Sequence, residues 1–505
     1  MPHATIPPAL QQDYQPRSTD ASRVDALVVG AGPVGLLTAL LLARFGRKVR
    51  IFDHSDGPCV HGRAGGIQPR TLELLDQLGL VKDLLATSGV RQRQRYTYVD
   101  GRLLEAIKVV PDELRADAQF DFTLLLGQEY LERVIIAALA AQGVIVERKV
   151  ALVDIHRMDA LHHAPLPATL QHLDSGITET VTPAYMLACD GAHSFCRKRL
   201  GIAFPGLATD LTFGLVDAVL TSDVPTPREE GKMTSTLLVP RENGMTRLYV
   251  RMDASHKRTD IGLQDIVTQI HKVAAPFTVN IQSVNWWTKY VVGQRVADQY
   301  AMDNIFLCGD ACHTHSPAAA QGMNTGIQDA MNVCWKIYLH HRGLVADKLL
   351  STYATERQPV ARSLISIDKQ IASLMARYGV DDDDADRIGR DNADCIRRHR
   401  PFLTGLAIGY SPNVLCSVNI LSPHLKLNHR PVNIALYRYM DSKTCTLLNV
   451  APIGSVFHAI VFTGHAHVTV TSLKAFEDFL APNDQQHTGQ KRPQTYTDGL
   501  KECSG

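Results

Sequence analysis

A surplus of charge of either sign is the first thing this chain lacks: 52 lysines and arginines stand against 51 aspartates and glutamates in 505 residues. So balanced a chain offers no basic stripe for nucleic acid and no polybasic segment for an anionic membrane. Paired cysteines are missing too. The 10 cysteines are scattered, none of them in a Cys-x-x-Cys or other paired ligand spacing, and no secretory leader precedes them. This argues against zinc, thiol–disulfide exchange and a disulfide-stapled fold; no metal is expected, and reduced thiols in a cytoplasmic protein are. Nor is there a clean membrane span, because the most apolar stretch, Val24 to Phe45, is broken by three glycines and Pro33. Internal repeats and long low-complexity tracts do not occur. At this length roughly two to four domains with an ample core are expected.

What the chain does have is glycine at informative places. Gly30-Ala31-Gly32-Pro33-Val34-Gly35 runs from the strand-like segment Val24 to Val29 into the helix-like run Leu36 to Phe45. Gly30 permits the tight turn, Gly32 lets the backbone approach a pyrophosphate, and Gly35 lets helix and strand pack closely. The pyrophosphate then sits on unpaired N–H groups at the positive end of the helix dipole. A second strand, Lys48 to Phe52, leads into Asp53. An acid there can accept hydrogen bonds from ribose hydroxyls and would repel a 2′-phosphate. Two more pieces follow: Cys189-Asp190-Gly191-Ala192-His193-Ser194, and Leu307-Cys308-Gly309-Asp310 running on to Pro317 and then Gln321-Gly322-Met323-Asn324-Thr325-Gly326. The first motif does not separate NAD from FAD. The three in this order read as one FAD site.

The motifs also organise the chain. Residues 1–23 are polar and proline-containing and read as a flexible arm. Residues 24–200 alternate strands and helices, among them the amphipathic run Gln128 to Ala141 and the strand Val144 to Arg148. Residues 201–294 carry the alternating apolar segments Leu211 to Leu220 and Thr234 to Met252, as a β-sheet layer does. Because Gly309-Asp310 lies so far downstream, a Rossmann-type cofactor domain must be discontinuous, 24–200 plus 295–380, with a β-sheet substrate domain inserted. The strand Ile305 to Cys308 delivers Asp310 to its carboxyl end, where open α/β sheets bind ligands. Helices are expected over roughly 326–341 and 347–378 and a linker with helical content over 381–424, where Asp381 to Asp384 reads as a solvated loop. The fold class is α/β with an α+β insertion.

Gly62-Arg63-Ala64-Gly65-Gly66-Ile67-Gln68-Pro69-Arg70-Thr71-Leu72-Glu73, taken with Gly309 to Pro317 and Gln321 to Thr325, resembles the phenol 2-monooxygenase-like branch of the class A FAD-dependent aromatic hydroxylases. That superfamily has the para-hydroxybenzoate hydroxylase fold, and the resemblance covers residues 24 to about 380. It implies FAD, with NADPH or NADH and O₂ as co-substrates. It places Gly62, Arg63 and Ala64 beside the cofactor, Arg63 also guiding nicotinamide hydride, and lets Gln128 reach the cofactor by its amide. Asp190 and Gly191 are tied to the FAD pyrophosphate and to NADPH use, and Asp310 to the ribityl or ribose region. Pro317 lies against the flavin ring near the carbon that carries oxygen. Gln321, Gly322, Met323 and Asn324 open a helix whose N–H groups face flavin N1 and O2, where reduced flavin is anionic. His193 departs from the arginine usual in the family; neutral histidine attracts phosphate less, leaving the donor open, with Arg197 and Arg199 as candidates to compensate.

The substrate side is carried by Pro240-Arg241-Glu242 and Thr246-Arg247-Leu248-Tyr249-Val250. In a strand, Arg247 and Tyr249 share one face. The segment resembles the one whose tyrosine meets both phenolic substrate and flavin, with Arg241 or Arg247 lowering the cost of a phenolate. The implied reaction runs through a flavin C4a-hydroperoxide that hydroxylates a phenol, most often ortho to its hydroxyl. Gly65 stands where such hydroxylases commonly carry a proton-accepting aspartate. Either Tyr249 with an arginine suffices, or His61, His313 or His315 acts, or the substrate arrives already acidic. The loss also enlarges the pocket, so a substituted phenol, polyketide-derived or hydroxybenzoate-like, is expected.

The end of the chain is short for its family. Leu425 to Gly464 resembles the start of the branch's thioredoxin-like domain, which needs roughly a hundred further residues. An abbreviated region over 425–481 and a polar tail over 482–505 are therefore expected, and unpaired apolar strands there favour a homodimer. A flavin-dependent dehydrogenase or carbonyl-oxygenating enzyme on the same fold stays open, as does a non-catalytic flavoprotein or scaffold. Trp286-Trp287 is not the Trp-x-Trp-x-Ile-Pro of flavin-dependent halogenases.

Overall fold

Val24, Ala26, Leu27, Val28 and Val29 of the segment Arg23–Val29 are buried, so both faces of this strand are covered. It pairs in parallel with Val49–Asp53 on one side and Thr178–Ala188 on the other. Val146–Arg148 extends the sheet beyond the former, and Ile305–Leu307 beyond the latter, both parallel. Val29 lies opposite Ala188, and Ala188 opposite Leu307. The next residues of each strand, Gly30, Cys189 and Cys308, therefore leave the sheet side by side. This register brings three motifs from distant parts of the chain to one edge.

A computed structural model of the chain describes residues 23–156, 166–225, 230–233, 236–252, 261–316, 320–377, 385–416, 427–438, 441–451 and 458. Nearly all of the expected N-terminal arm, Pro317, the acidic run Asp381 to Asp384, and most of the expected thioredoxin-like region and tail lie outside the described residues. The architecture is mixed α/β. Its first helix spans Pro33–Arg44 and starts three residues earlier than its apolar run, because proline at the first helical position loses no hydrogen bond. It packs against the helices Gln128–Ala140 and Gly322–His341. The latter opens at Gly322, as the family resemblance implies and four residues before the helical run read from 326, and is followed by Lys348–Arg377 and Ala385–Leu403.

The second sheet is built on two long antiparallel strands, Gly206–Ser222 and Val279–Val296. Met245–Arg251, Thr236–Pro240 and Glu230–Met233 continue it on one side, and His313–Thr314 caps the other. It also draws Gln94–Val99 and Arg102–Lys108 from the segment expected to belong wholly with the first sheet. One face buries Val216, Leu248 and Val250 against Ile266 and Ile270 of the helix Leu263–Ala274. The other packs Phe213 and Leu215 against Leu364, Ile367 and Ile371 of the Lys348–Arg377 helix. Residues from Ile434 form a separate unit. Its described part is a hairpin, Ala435–Arg438 with Lys443–Thr446, followed by the helical turn Leu447–Val450. Among the described residues, no helix is long and apolar enough to cross a membrane.

One buried carboxylate ties several of these pieces together. Asp329, fully buried, accepts from Arg357 Nε at 2.7 Å, from His313 Nε2 at 2.8 Å and from the Gly309 N–H at 3.2 Å. Arg357 also donates to the Thr325 carbonyl. Burial pushes the Asp329 carboxyl up, but Arg357 and His313 outweigh it and hold the group below its ordinary value. Cys312 lies close enough to make a three-ligand cluster with His313 and Asp329, yet the carboxylate is already matched by a guanidinium. Asp329→Asn leaves that guanidinium buried without its anion and is expected to cost about 3–5 kcal/mol, read as a large fall in Tm. In the wild type this contribution is present above the ordinary value of 3.8 and is lost as pH falls below it. The acid-unfolding curves of the two proteins are thus expected to converge only below that pH.

Candidate active site

At the shared edge, two glycines are required by the fold and one is not. A Cβ on Gly30 would stand 2.5 Å from the Cys189 carbonyl oxygen, and one on Gly35 would stand 1.9 Å from the Gly30 oxygen. Gly30 also sits at φ +96°, a conformation that favours glycine. Gly32 has an ordinary φ of −76°, and no described protein atom lies within 4 Å of where its Cβ would be. The space before the helix N-terminus is left open.

The acids of this edge divide their work. Asp53 accepts from the Ala31 N–H at 2.7 Å and from the Ser55 N–H and hydroxyl at 2.9 and 2.6 Å. Burial raises its carboxyl, but these bonds prevail and hold it below its ordinary value. Asp53 thus stabilises the glycine turn itself. Asp190 accepts from the Cys196 N–H through one oxygen, while its other oxygen is buried without a described partner. Gly191 follows at φ +78° and His193 is exposed. Arg197 and Arg199, the candidates to compensate, both bond to protein groups. Arg197 is buried, donates to the Ala311 and Ala192 carbonyls and stacks 3.8 Å from the Phe204 ring centre. Arg199 pairs with Asp154 at 2.7 Å. Both guanidiniums already have partners.

On the other flank, Val34 touches the positions where Gly309 and Gly326 lack side chains, which draws the two helix N-termini together. The Gly322–His341 ladder begins with Thr325 N–H to Gln321 O at 2.8 Å. The N–H groups of Gly322, Met323 and Asn324 precede it. The side chains of Gln321 and Asn324 are spent on scaffolding. Asn324 accepts from the Gln68 N–H and donates to the Gly66 and Ala320 carbonyls, all at 2.9 Å. Gln321 donates to the Leu403 carbonyl at 2.7 Å. Gln128 accepts from the Ala64 N–H and donates to Glu132, so its amide orients the 62–65 loop. Asp310 is exposed beside Gly322.

The substrate-side arginines are more constrained than the sequence implies. Arg247 and Tyr249 do share a face of the second sheet. Arg247, almost fully buried, makes a two-pronged pair with Asp217 at 2.6 and 2.7 Å, donates to the Arg63 carbonyl and lies 5.4 Å from the Trp286 ring centre. Burial disfavours its charge, but Tyr249 and Asp217 beside it more than restore it. Trp286 in turn fills the space beside Gly62, where a Cβ would stand 2.5 Å from the ring. Arg241, also buried, pairs with Glu242, whose carboxylate further accepts from the Gly127 N–H. Arg241 Nη1 lies 3.1 Å from the position of a Gly65 Cβ. The space expected to open at Gly65 is therefore occupied by Arg241 on that side. His61 is exposed, and Pro317 lies outside the described residues. Sequence reasoning missed Asp217, Trp286 and the pairing role of Glu242. Asp217 stands opposite both Arg247 and Trp286 in the sheet, a register that no local pattern announces.

Comparison with known proteins agrees with this geometry. The family model described as "FAD binding domain" matches residues 23–368. The chain is 32% identical to the phenol 2-monooxygenase fsqG of Aspergillus fumigatus, over 82% of this chain and 70% of that protein. It is 29% identical to the 3-hydroxybenzoate 4-monooxygenase of Comamonas testosteroni, over 89% and 76% respectively. In fold it is similar to the flavin-dependent monooxygenase PieE, with a TM-score of 0.69, 21% identity, and 85% and 83% of the two chains covered. The chain belongs to the FAD-dependent aromatic monooxygenases, the class A flavin hydroxylases that carry this FAD binding domain, and FAD is its cofactor. The residues fit that group: Gly32 leaves an open cradle before one helix, a second helix presents free N–H groups, and unpartnered buried atoms of Asp190 and His315 await hydrogen bonds.

The two helix-turn glycines give a paired test. Gly32→Ala is expected to leave the apoprotein's Tm within about 1 °C while weakening FAD by tenfold or more, since a methyl group enters only ligand space. Gly35→Ala forces a carbon into the Gly30 oxygen and is expected to lose more than about 3 kcal/mol of stability. Calorimetry of both apoproteins and fluorescence titration with FAD check the contrast.

Proposed function

We propose that the protein hydroxylates a substituted phenol, ortho to its existing hydroxyl, at the Tyr249 face of the second sheet, with NADPH or NADH as electron donor. The observation that carries this reading is the row Tyr249, Arg247 and Asp217, whose guanidinium also grips the Arg63 carbonyl of the loop leading to the cofactor edge. When bound, FAD takes electrons from the nicotinamide and activates O₂. Tyr249 exchanges a hydrogen bond with the substrate hydroxyl and moves its proton, raising electron density on the ring. Arg247 stabilises the developing phenolate through Tyr249, its own charge held in place by Asp217. Arg241 and Glu242 set the floor of the pocket under Gly65. The N–H groups of Gly322, Met323 and Asn324 would hold negative charge on the bound cofactor. The names of the relatives, a phenol hydroxylase and a hydroxybenzoate hydroxylase, support a phenolic substrate bearing further groups.

The test is NADPH and NADH consumption by FAD-loaded protein against a panel of substituted phenols and hydroxybenzoates, with ¹⁸O₂ tracing. A phenol that speeds consumption and gains one labelled oxygen next to its hydroxyl is the expected outcome. Oxidised product without label would instead mark a dehydrogenase. Tyr249→Phe is expected to lower kcat/KM about 100-fold, the scale of a lost acid–base group, while FAD affinity stays within about twofold of wild type.

A further inference from the structure

His315 follows the edge strand His313–Thr314 of the second sheet and is buried. Its carbonyl accepts from the Tyr290 hydroxyl at 3.0 Å, and its Nδ1–H donates to the Ser316 carbonyl at 2.8 Å. Ser316 is in turn held by Asp368 of the Lys348–Arg377 helix, through its N–H at 2.9 Å and its hydroxyl. With Nδ1 as the donor, Nε2 carries a bare lone pair. The residue is 8% exposed, and Nε2 has no hydrogen-bond partner among the described residues. Burial lowers the pKa of the ring, which keeps it neutral. An unmade hydrogen bond at such depth costs stability unless something supplies it.

What lies in front of Nε2 defines the missing partner. The nitrogen is 3.6 Å from the point where a Cβ of Gly322 would stand, and Asp310 Oδ1 is 3.7 Å from the same point. A neutral lone pair and a carboxylate therefore face one small space over the start of the Gly322–His341 helix. Two acceptors repel phosphate oxygens and call for a molecule rich in donors. Consecutive hydroxyls satisfy both at once, each giving its hydrogen to one acceptor. FAD carries such a polyol between its ring and its pyrophosphate.

We infer that His315 Nε2 is a cofactor-binding atom, accepting a hydrogen bond from a hydroxyl of the FAD ribityl chain while Asp310 takes its neighbour. The inference rests on the FAD site described above and adds to it a residue and a chemical polarity. His315→Phe keeps the flat shape and removes the Nε2 acceptor together with the Nδ1 donor; His315→Gln returns an acceptor. Against FAD, the Phe variant is expected to bind about tenfold more weakly, the factor of one hydrogen bond, and the Gln variant to recover most of the loss. Against ADP, which has the adenosine and pyrophosphate but no polyol, both variants should match wild type. The apo Phe variant also loses the Nδ1–H bond to the Ser316 carbonyl, so its Tm is expected to fall by the scale of one hydrogen bond, a loss that FAD and ADP binding share equally. Unchanged FAD binding by the Phe variant, or parallel weakening of FAD and ADP, overturns the inference. Should the Phe variant fail to fold, the ¹⁵N resonance of Nε2 in wild-type protein decides: FAD moves it and ADP does not, whereas no movement with FAD overturns it. Wild-type protein that takes up no FAD would sink the proposed activity as well, a failure distinct from the selective ones above.

Discussion

The cofactor flank of this protein depends on one negative charge kept out of water. Asp329 cannot sit in the core as an ion unless every lone pair is used, and the groups that use them are those that shape the site. The Gly309 N–H fixes the turn that delivers Asp310. His313 fixes the next two residues against the second sheet, and Arg357 fixes one long helix against another. Desolvation thus becomes a geometric instruction: the carboxylate is tolerated only where the turn, the histidine and the two helices meet. The second sheet repeats the device with Asp217, whose partner Arg247 reaches across to the 62–65 loop.

Between these two anchors, the site is made mostly of backbone. Helix N-termini at Val34 and Gly322 converge because glycines at 309 and 326 let Val34 into the gap. Gln321 and Asn324 bond to their own protein and leave main-chain N–H groups for the ligand, beside the open acceptors of Asp190 and His315. Catalysis by a bound flavin calls for this division, since the cofactor supplies reactivity and the protein supplies fixed dipoles and position.

Much of this was legible in the chain. The glycine turn, the strand before it and the helix after it are local features, and local features read well. Tyr249 and Arg247 share a face because alternation in a strand is local too. Most failures are of long range. Nothing near Arg197 shows that it will brace the Ala311 carbonyl, and nothing near Arg247 shows that Asp217 will pair across the sheet. Gln94–Val99 joins the second sheet by pairing with Glu230–Met233, residues far along the chain. Helix starts read from periodicity alone came late for a different reason. Apolar periodicity marks the buried middle of a helix, whereas Pro33 and Gly322 begin theirs in residues that periodicity ignores.

The stretch from Arg63 to Gln68 is held by its main chain at nearly every step. Arg63 O is bound by Arg247, Ala64 N–H by Gln128, Gly65 O by the Leu126 N–H, and Gly66 O and Gln68 N–H by Asn324. These partners come from the sheet, from a helix of the first layer and from the flavin-side helix. The stretch therefore works as a gauge block, with chain length in place of side-chain bulk setting the separation of the elements it touches. A residue inserted or deleted here would put every attachment beyond it out of phase, while substitutions that spare the main chain would leave the spacing untouched.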